Sequence, residues 1–130
     1  MQNTILLLII ILSLLKTSVL IAAPENVLNR SNLVKLITGN TLEGKHIRKD
    51  YNFSMFLKSD GTHVEKRNGV LKPGVWSVNS EGKLCWSYTS KDKTWCRWIV
   101  ENSDGTYIKI KGSKKKVRQF IVKQGNPNKL

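Results

Sequence analysis

The sequence predicts a mainly β protein: an antiparallel meander of seven or eight short strands, closed as a small barrel or left as a curved sheet, with one short N-terminal helix. Three observations carry this. Apolar and polar residues alternate through most of the chain after Gly39, the period of a half-buried strand. Asp-Gly and Asn-Gly steps separate these runs, and both dipeptides favour tight hairpin turns. Cys85 and Cys96 lie eleven residues apart within the aromatic stretch Leu84-Cys85-Trp86-Ser87-Tyr88 … Trp95-Cys96-Arg97-Trp98, a spacing that brackets one hairpin.

The first element is not part of that fold. Ile5 to Leu15 is apolar apart from Ser13, and the small pair Ala22-Ala23 precedes Pro24. Such a run ending in small residues reads as a secretory signal and is short for a membrane span. The expected organisation is a signal peptide at residues 1–23 and one exported β-domain at residues 24–130, periplasmic or secreted. Met1 to Thr4 carries no Lys or Arg, and bulky Ile21 precedes Ala22-Ala23, so the competing arrangement is an uncleaved anchor from Ile5 to Ala23. Cleavage would leave no membrane span.

The helix is expected around Val27-Leu28, Leu33-Val34 and Leu36-Ile37, whose apolar residues recur at three- to four-residue intervals. Ser31 and Asn32 are possible caps and Gly39 a stop. Strands follow around Phe53-Met55-Leu57, Thr62–Lys66, Val75–Val78, Lys83–Thr89, Thr94–Glu101, Thr106–Lys111 and Val117–Lys123. Asp60-Gly61, Asn68-Gly69, Asn79 to Gly82, Ser90 to Lys93, Ser103-Asp104-Gly105 and Gly112-Ser113 separate them.

The cysteines are expected to form a disulfide, as two cysteines do in an oxidising compartment. Setting Cys85 opposite Cys96 places Trp86 opposite Trp95, Leu84 opposite Arg97 and Lys83 opposite Trp98. A four-residue turn at Asn79 to Gly82 would bring Trp76 to Cys85. Trp76, Cys85, Cys96 and Trp98 then form the expected core face. Trp86, Trp95 and Arg97 form the other face, as a second buried layer or an exposed aromatic-cationic patch able to stack on a ligand.

The chain holds 22 basic against 9 acidic residues, net charge +13, and removal of residues 1–23 takes only Lys16 from that balance. Lys109, Lys111, Lys114, Lys115, Lys116, Arg118 and Lys123 cluster near the end. Lys109 and Lys111 alternate with Ile108 and Ile110, so one strand face should be cationic. Such a patch suits an anionic glycan, an envelope component or an acidic protein, or else serves solubility and protects a strand edge. Nucleic acid is disfavoured by the signal peptide, and inhibition of a basic lysozyme by like charge.

Nothing in the sequence assembles a catalytic constellation. HExxH, GxSxG, Walker and CxxC motifs are absent, and the only histidines are His46 and His63. The i, i+2 pair His63 and Glu65 reads as a surface pair rather than an acid-base dyad. No metal site and no cofactor are expected.

Gly39-Asn40-Thr41, Ser59-Asp60-Gly61-Thr62, Pro73-Gly74-Val75-Trp76, Glu81-Gly82-Lys83-Leu84-Cys85, Trp95-Cys96 and Gly125-Asn126-Pro127 … Leu130 occur in that order. Together they resemble the bacterial domain-of-unknown-function 995 family of small exported proteins. The resemblance implies export, a β-rich fold and the disulfide, but no substrate. Its two Gly-Asn steps, at Asn40 and Asn126, should meet if the sheet closes. The expected protein is a monomeric, non-catalytic binding module for a glycan, lipid or other ligand; the alternative is a secreted cationic factor acting on an acidic partner or anionic surface.

Overall fold

Eight antiparallel strands close into a barrel in sequence order, and the last returns to pair with the first. The structure is a computed structural model that describes residues 24–130; the expected signal peptide lies outside the described residues. Helix α1 spans Arg30–Ile37. The strands are β1 Thr41–His46, β2 Tyr51–Leu57, β3 Thr62–Arg67, β4 Val70–Val78, β5 Leu84–Tyr88, β6 Thr94–Glu101, β7 Tyr107–Lys111 and β8 Lys115–Lys123.

The turns follow from their side chains. Asp60 Oδ1 accepts from the Thr62 backbone N–H at 2.9 Å and from its hydroxyl at 2.6 Å. Asp104 repeats this with Thr106 at 3.0 and 2.6 Å. Each Asp-Gly-Thr thus fixes its own turn by side-chain hydrogen bonds. At the seam, Asn40 Oδ1 accepts from the Gly125 N–H at 2.9 Å and Thr41 Oγ1 donates to the Gly125 carbonyl at 2.7 Å, so the two Gly-Asn steps do meet.

The β5–β6 register is the expected one, with Cys85 opposite Cys96, Trp86 opposite Trp95 and Leu84 opposite Arg97, and the disulfide is formed. The β4–β5 register differs by one residue. Asn79 N–H donates to the Lys83 carbonyl at 3.0 Å, so three residues rather than four make the turn, and Trp76 faces Trp86 while Ser77 faces Cys85. A one-residue slip exchanges the two faces. Trp76, Trp86, Trp95 and Arg97 therefore point inward, whereas Cys85, Cys96 and Trp98 belong to the outer wall, the reverse of the expected core assignment.

Helix α1 also departs from expectation at its start. Asn29 is the N-cap, its Oδ1 accepting from the Asn32 N–H at 2.8 Å, which leaves Ser31 and Asn32 inside the first turn. Val27 and Leu28 stay extended: Val27 bridges to Val100, and Leu28 N–H donates to the Ile99 carbonyl at 2.9 Å. Leu33 and Ile37 are fully buried in one cluster with Leu42, Met55, Leu57, Val78, Leu84, Ile99 and Phe120. Burial of each such side chain stabilises the fold by about 1.5–3 kcal/mol. The helix thus closes the barrel end where β2–β3 and β4–β5 turn, with Gly39 N–H bonded to the Leu57 carbonyl and Gly82 packed beside Arg30.

β1 carries the weakest sequence signal, because its centre is Gly44. A Cβ there would lie 1.9 Å from the Gln119 carbonyl oxygen of β8, so glycine is required where the seam draws together.

Candidate functional site

The four turns joining β1–β2, β3–β4, β5–β6 and β7–β8 all lie at the end opposite the helix, and this end is open. Its cavity is about 310 Å³. Arg48 and Lys49 reach it from the first turn, Arg67 and Lys72 from the second hairpin and Lys91 from the third. Arg97 comes from β6, Lys111 and Lys115 from the last hairpin, and Arg118 from β8. Tyr51, Trp86, Tyr88 and Trp95 provide aromatic walls. No Asp or Glu lines the cavity.

Beneath it lies one carboxylate. Glu65 is fully buried on β3; Arg118 Nη1 donates to its Oε1 at 2.6 Å and Arg67 Nη2 to its Oε2 at 2.9 Å. The Tyr88 hydroxyl also donates to Oε2, and itself accepts from Arg67 at 3.0 Å and Trp86 Nε1 at 3.3 Å. Arg118 Nη2 donates to the Tyr51 hydroxyl at 2.9 Å. Burial alone would raise the Glu65 pKa, but Arg118, the Tyr88 hydrogen bond and Arg67 together hold it below the usual carboxylate value. Burial and the Glu65 charge push Tyr88 up to about 12, which keeps its proton on the phenol.

Positive charge still exceeds this one anion. Lys109 is fully buried, its Nζ 4.2 Å from the centroid of Trp86 and 5.6 and 5.7 Å from those of Phe53 and Phe120. That aromatic cage supplies cation–π attraction but no hydrogen-bond acceptor, and Nζ is unpartnered. Burial drives the Lys109 pKa well below normal, assisted by Arg118. Arg97 Nη1 reaches the Cys96 carbonyl at 2.8 Å, while its buried Nε has no acceptor. Burial and the neighbouring cations push His46 down to about 4, so it is neutral, with Nδ1 accepting from the Lys49 N–H at 3.2 Å. The crowding extends to the rim, where Arg48 above all lowers the pKa of exposed Lys115.

The expected cationic cluster is therefore divided. Lys111, Lys115 and Arg118 line the mouth and Lys109 lies below it, whereas Lys114 and Lys116 are exposed outside the lining. The Lys109–Lys111 face is cationic as anticipated, but it faces the barrel interior; Ile108 and Ile110 lie on the opposite face, outside the continuous core. Trp86, Trp95 and Arg97 meet in the mouth, Trp86 and Trp95 stacking with centroids 6.4 Å apart. Lys123 stays at the seam, bonded to Glu43 at 3.0 Å.

His63 and Glu65 are not a surface pair: both are buried, and His63 Nε2 donates to the Ser87 carbonyl at 2.7 Å. A signal existed. Folding the chain about Asp60-Gly61 sets Leu57 opposite His63 and Met55 opposite Glu65, on the apolar face. Arg48, Lys49, Arg67, Lys72 and Lys91 were missed because each sits near a turn, where alternation gives no direction.

A second depression, about 890 Å³, is shallow and lies against the outer wall beside Glu43, Ser54, Gln119 and Asn128. On that wall Asn128 Nδ2 donates to Glu43 and Ser54 at 3.0 Å each. Among the described residues no group of three or more His, Cys, Asp or Glu could hold a metal ion, and no helix is long and apolar enough to cross a membrane.

No protein-family model matches the chain, and no curated protein sequence matches it. The resemblance to the domain-of-unknown-function 995 family is carried by motif order alone.

Proposed function

We propose that this protein is a non-catalytic binding module that takes a small anionic ligand into the barrel mouth. One observation carries the reading: nine Lys and Arg side chains line a cavity of about 310 Å³ that has no acidic lining residue. Glu65 pairs with only two of them, Arg67 and Arg118. A buried donor left without an acceptor costs about 1–3 kcal/mol. An oxyanion entering beside Arg97 would supply an acceptor there, and Trp95 and Tyr88 would cover the carbon body of such a ligand. The broader expectation of a glycan, lipid or other ligand narrows to one bearing an anionic group.

No reaction belongs to this reading. His63 and Glu65 lie below the cavity rather than in its lining, with His63 Nε2 bonded to the Ser87 carbonyl and Glu65 to Arg118. Action outside the cytoplasm is supported by the Cys85–Cys96 disulfide and the apolar run before residue 24. A second reading, in which an acidic protein segment is the partner, draws on exposed Lys114 and Lys116 outside the mouth.

Tryptophan emission tests the first reading, since Trp86 and Trp95 both line the cavity. Titration with benzoate and inorganic phosphate should change emission saturably at low salt, and benzyl alcohol should not. Equal responses to benzoate and benzyl alcohol would refute an anion site.

A further inference from the structure

The mouth holds more positive charge than a single carboxylate or sulfonate could neutralise. Among the described residues, Arg48, Lys49, Lys72, Lys91, Lys111 and Lys115 have no salt-bridge partner, nor has Arg97. They converge from all four turns on one small space. Like charges held this close repel, and within the protein only Glu65, beneath the lining and paired with Arg67 and Arg118, offsets that repulsion. At about 310 Å³ the cavity is at the small end of ligand pockets, so the neutralising charge must be compact. The floor is closed by Trp86, Tyr88 and the Arg118–Glu65 pair, so an extended polymer cannot thread it. Arginine forks and lysine ammonium groups together suit phosphate oxygens, which accept several charge-assisted hydrogen bonds at once.

We propose that the ligand is a compact polyphosphate, two or more phosphate groups in a row, held between Arg97 and the rim cations Lys111 and Lys115. The proposal rests on the anion-binding reading above and specifies its ligand class. The same chain of phosphates occurs free or attached to a nucleoside, and the aromatic walls are compatible with either.

Calorimetric titration of the chain from residue 24 tests it, using phosphate, pyrophosphate, tripolyphosphate, adenosine triphosphate and benzoate as probes. Affinity should rise about tenfold or more with each added phosphate, as each brings new charge-assisted contacts. Lys111→Gln with Lys115→Gln should weaken tripolyphosphate binding about 10–100-fold. Lys114→Gln with Lys116→Gln, outside the lining, should change it less than about threefold, the scale of screened surface charge. Tighter binding of adenosine triphosphate than tripolyphosphate would assign the source to a nucleotide; the reverse order would assign it to the free chain. Benzoate binding as tightly as tripolyphosphate would overturn the polyphosphate proposal and leave the anion site standing. Binding of no anion would overturn both, and equal losses in the two double variants would move the site to the outer surface and overturn the proposal.

Discussion

Replacing Glu65 by glutamine isolates the charge on which the barrel interior depends. The Glu65 side chain is fully buried and that of Arg118 is 4% exposed, so neither can be rehydrated without opening the barrel. Glutamine keeps one oxygen for Arg118 but turns an NH₂ toward the donors of Arg67 and Tyr88, which now share Oε2. It also leaves the guanidinium groups of Arg118 and Arg67 with no anion nearby. Removing one partner of a buried ion pair typically costs 3–5 kcal/mol, so Glu65→Gln should lose about that much. A domain of this size loses about 4–8 °C of Tm per kcal/mol, so the melting midpoint should fall by about 12–40 °C. Urea unfolding followed by circular dichroism gives the free energy directly. Adding Arg118→Met to the same chain removes the stranded guanidinium and should recover part of the loss, since an apolar replacement of a buried pair is often near neutral. A Glu65→Gln protein within about 1 kcal/mol of the parent would refute the view that the interior is held by this one anion.

Serine at both Cys85 and Cys96 should cost about 2–3 kcal/mol, the loop-closure value for a separation of 11, measured by urea unfolding beside the oxidised parent. Thiol titration of the unreduced, unfolded protein should find none free. Stability should fall as pH drops from about 6.5 to 4, because His46, and in the same direction His63, bind protons more readily unfolded than folded; His46→Gln should flatten that slope by at most about 1.4 kcal/mol per pH unit. Glu65, with its lowered pKa, adds a further loss that begins as pH falls below the ordinary carboxylate value of 4.5 and is complete once pH has passed its folded value. Intact mass of natively exported protein should show a chain beginning near Ala23 or Pro24, whereas retention of Met1 would favour the anchor.

Much of the barrel was legible because its information is local. Asp60-Gly61-Thr62 and Asp104-Gly105-Thr106 close their own turns, and the Cys85–Cys96 pairing fixed one register outright. The β4–β5 register was not legible in this way. Whether Asn79 to Gly82 turns with four residues or three depends on the Asn79–Lys83 hydrogen bond, and that single residue decided which tryptophans face inward. The site was hidden for a different reason. Alternation marks two faces of Tyr107–Lys111 but not which is inside, and the apolar isoleucines were the natural choice for the core. A closed barrel capped at one end by a helix can instead keep apolar layers at that end and place Lys109 and Arg118 toward the other.

The seam bears on the order in which this chain can fold. Asn40 waits for Gly125, Glu43 for Lys123 and Glu65 for Arg118, at separations of 85, 80 and 53 residues. Until β8 arrives, β1 and β7 are both open edges, and the interior carboxylate has Arg67 but lacks Arg118, the more deeply buried of its two arginine partners. Contacts this remote in sequence slow folding and prolong exposure of strand edges. The last strand is therefore the step that commits the molecule: Arg118 and Phe120 complete the charge pair and the apolar core in one movement. A chain stopped short of Lys115 would have most of its hairpins and nothing to shut them.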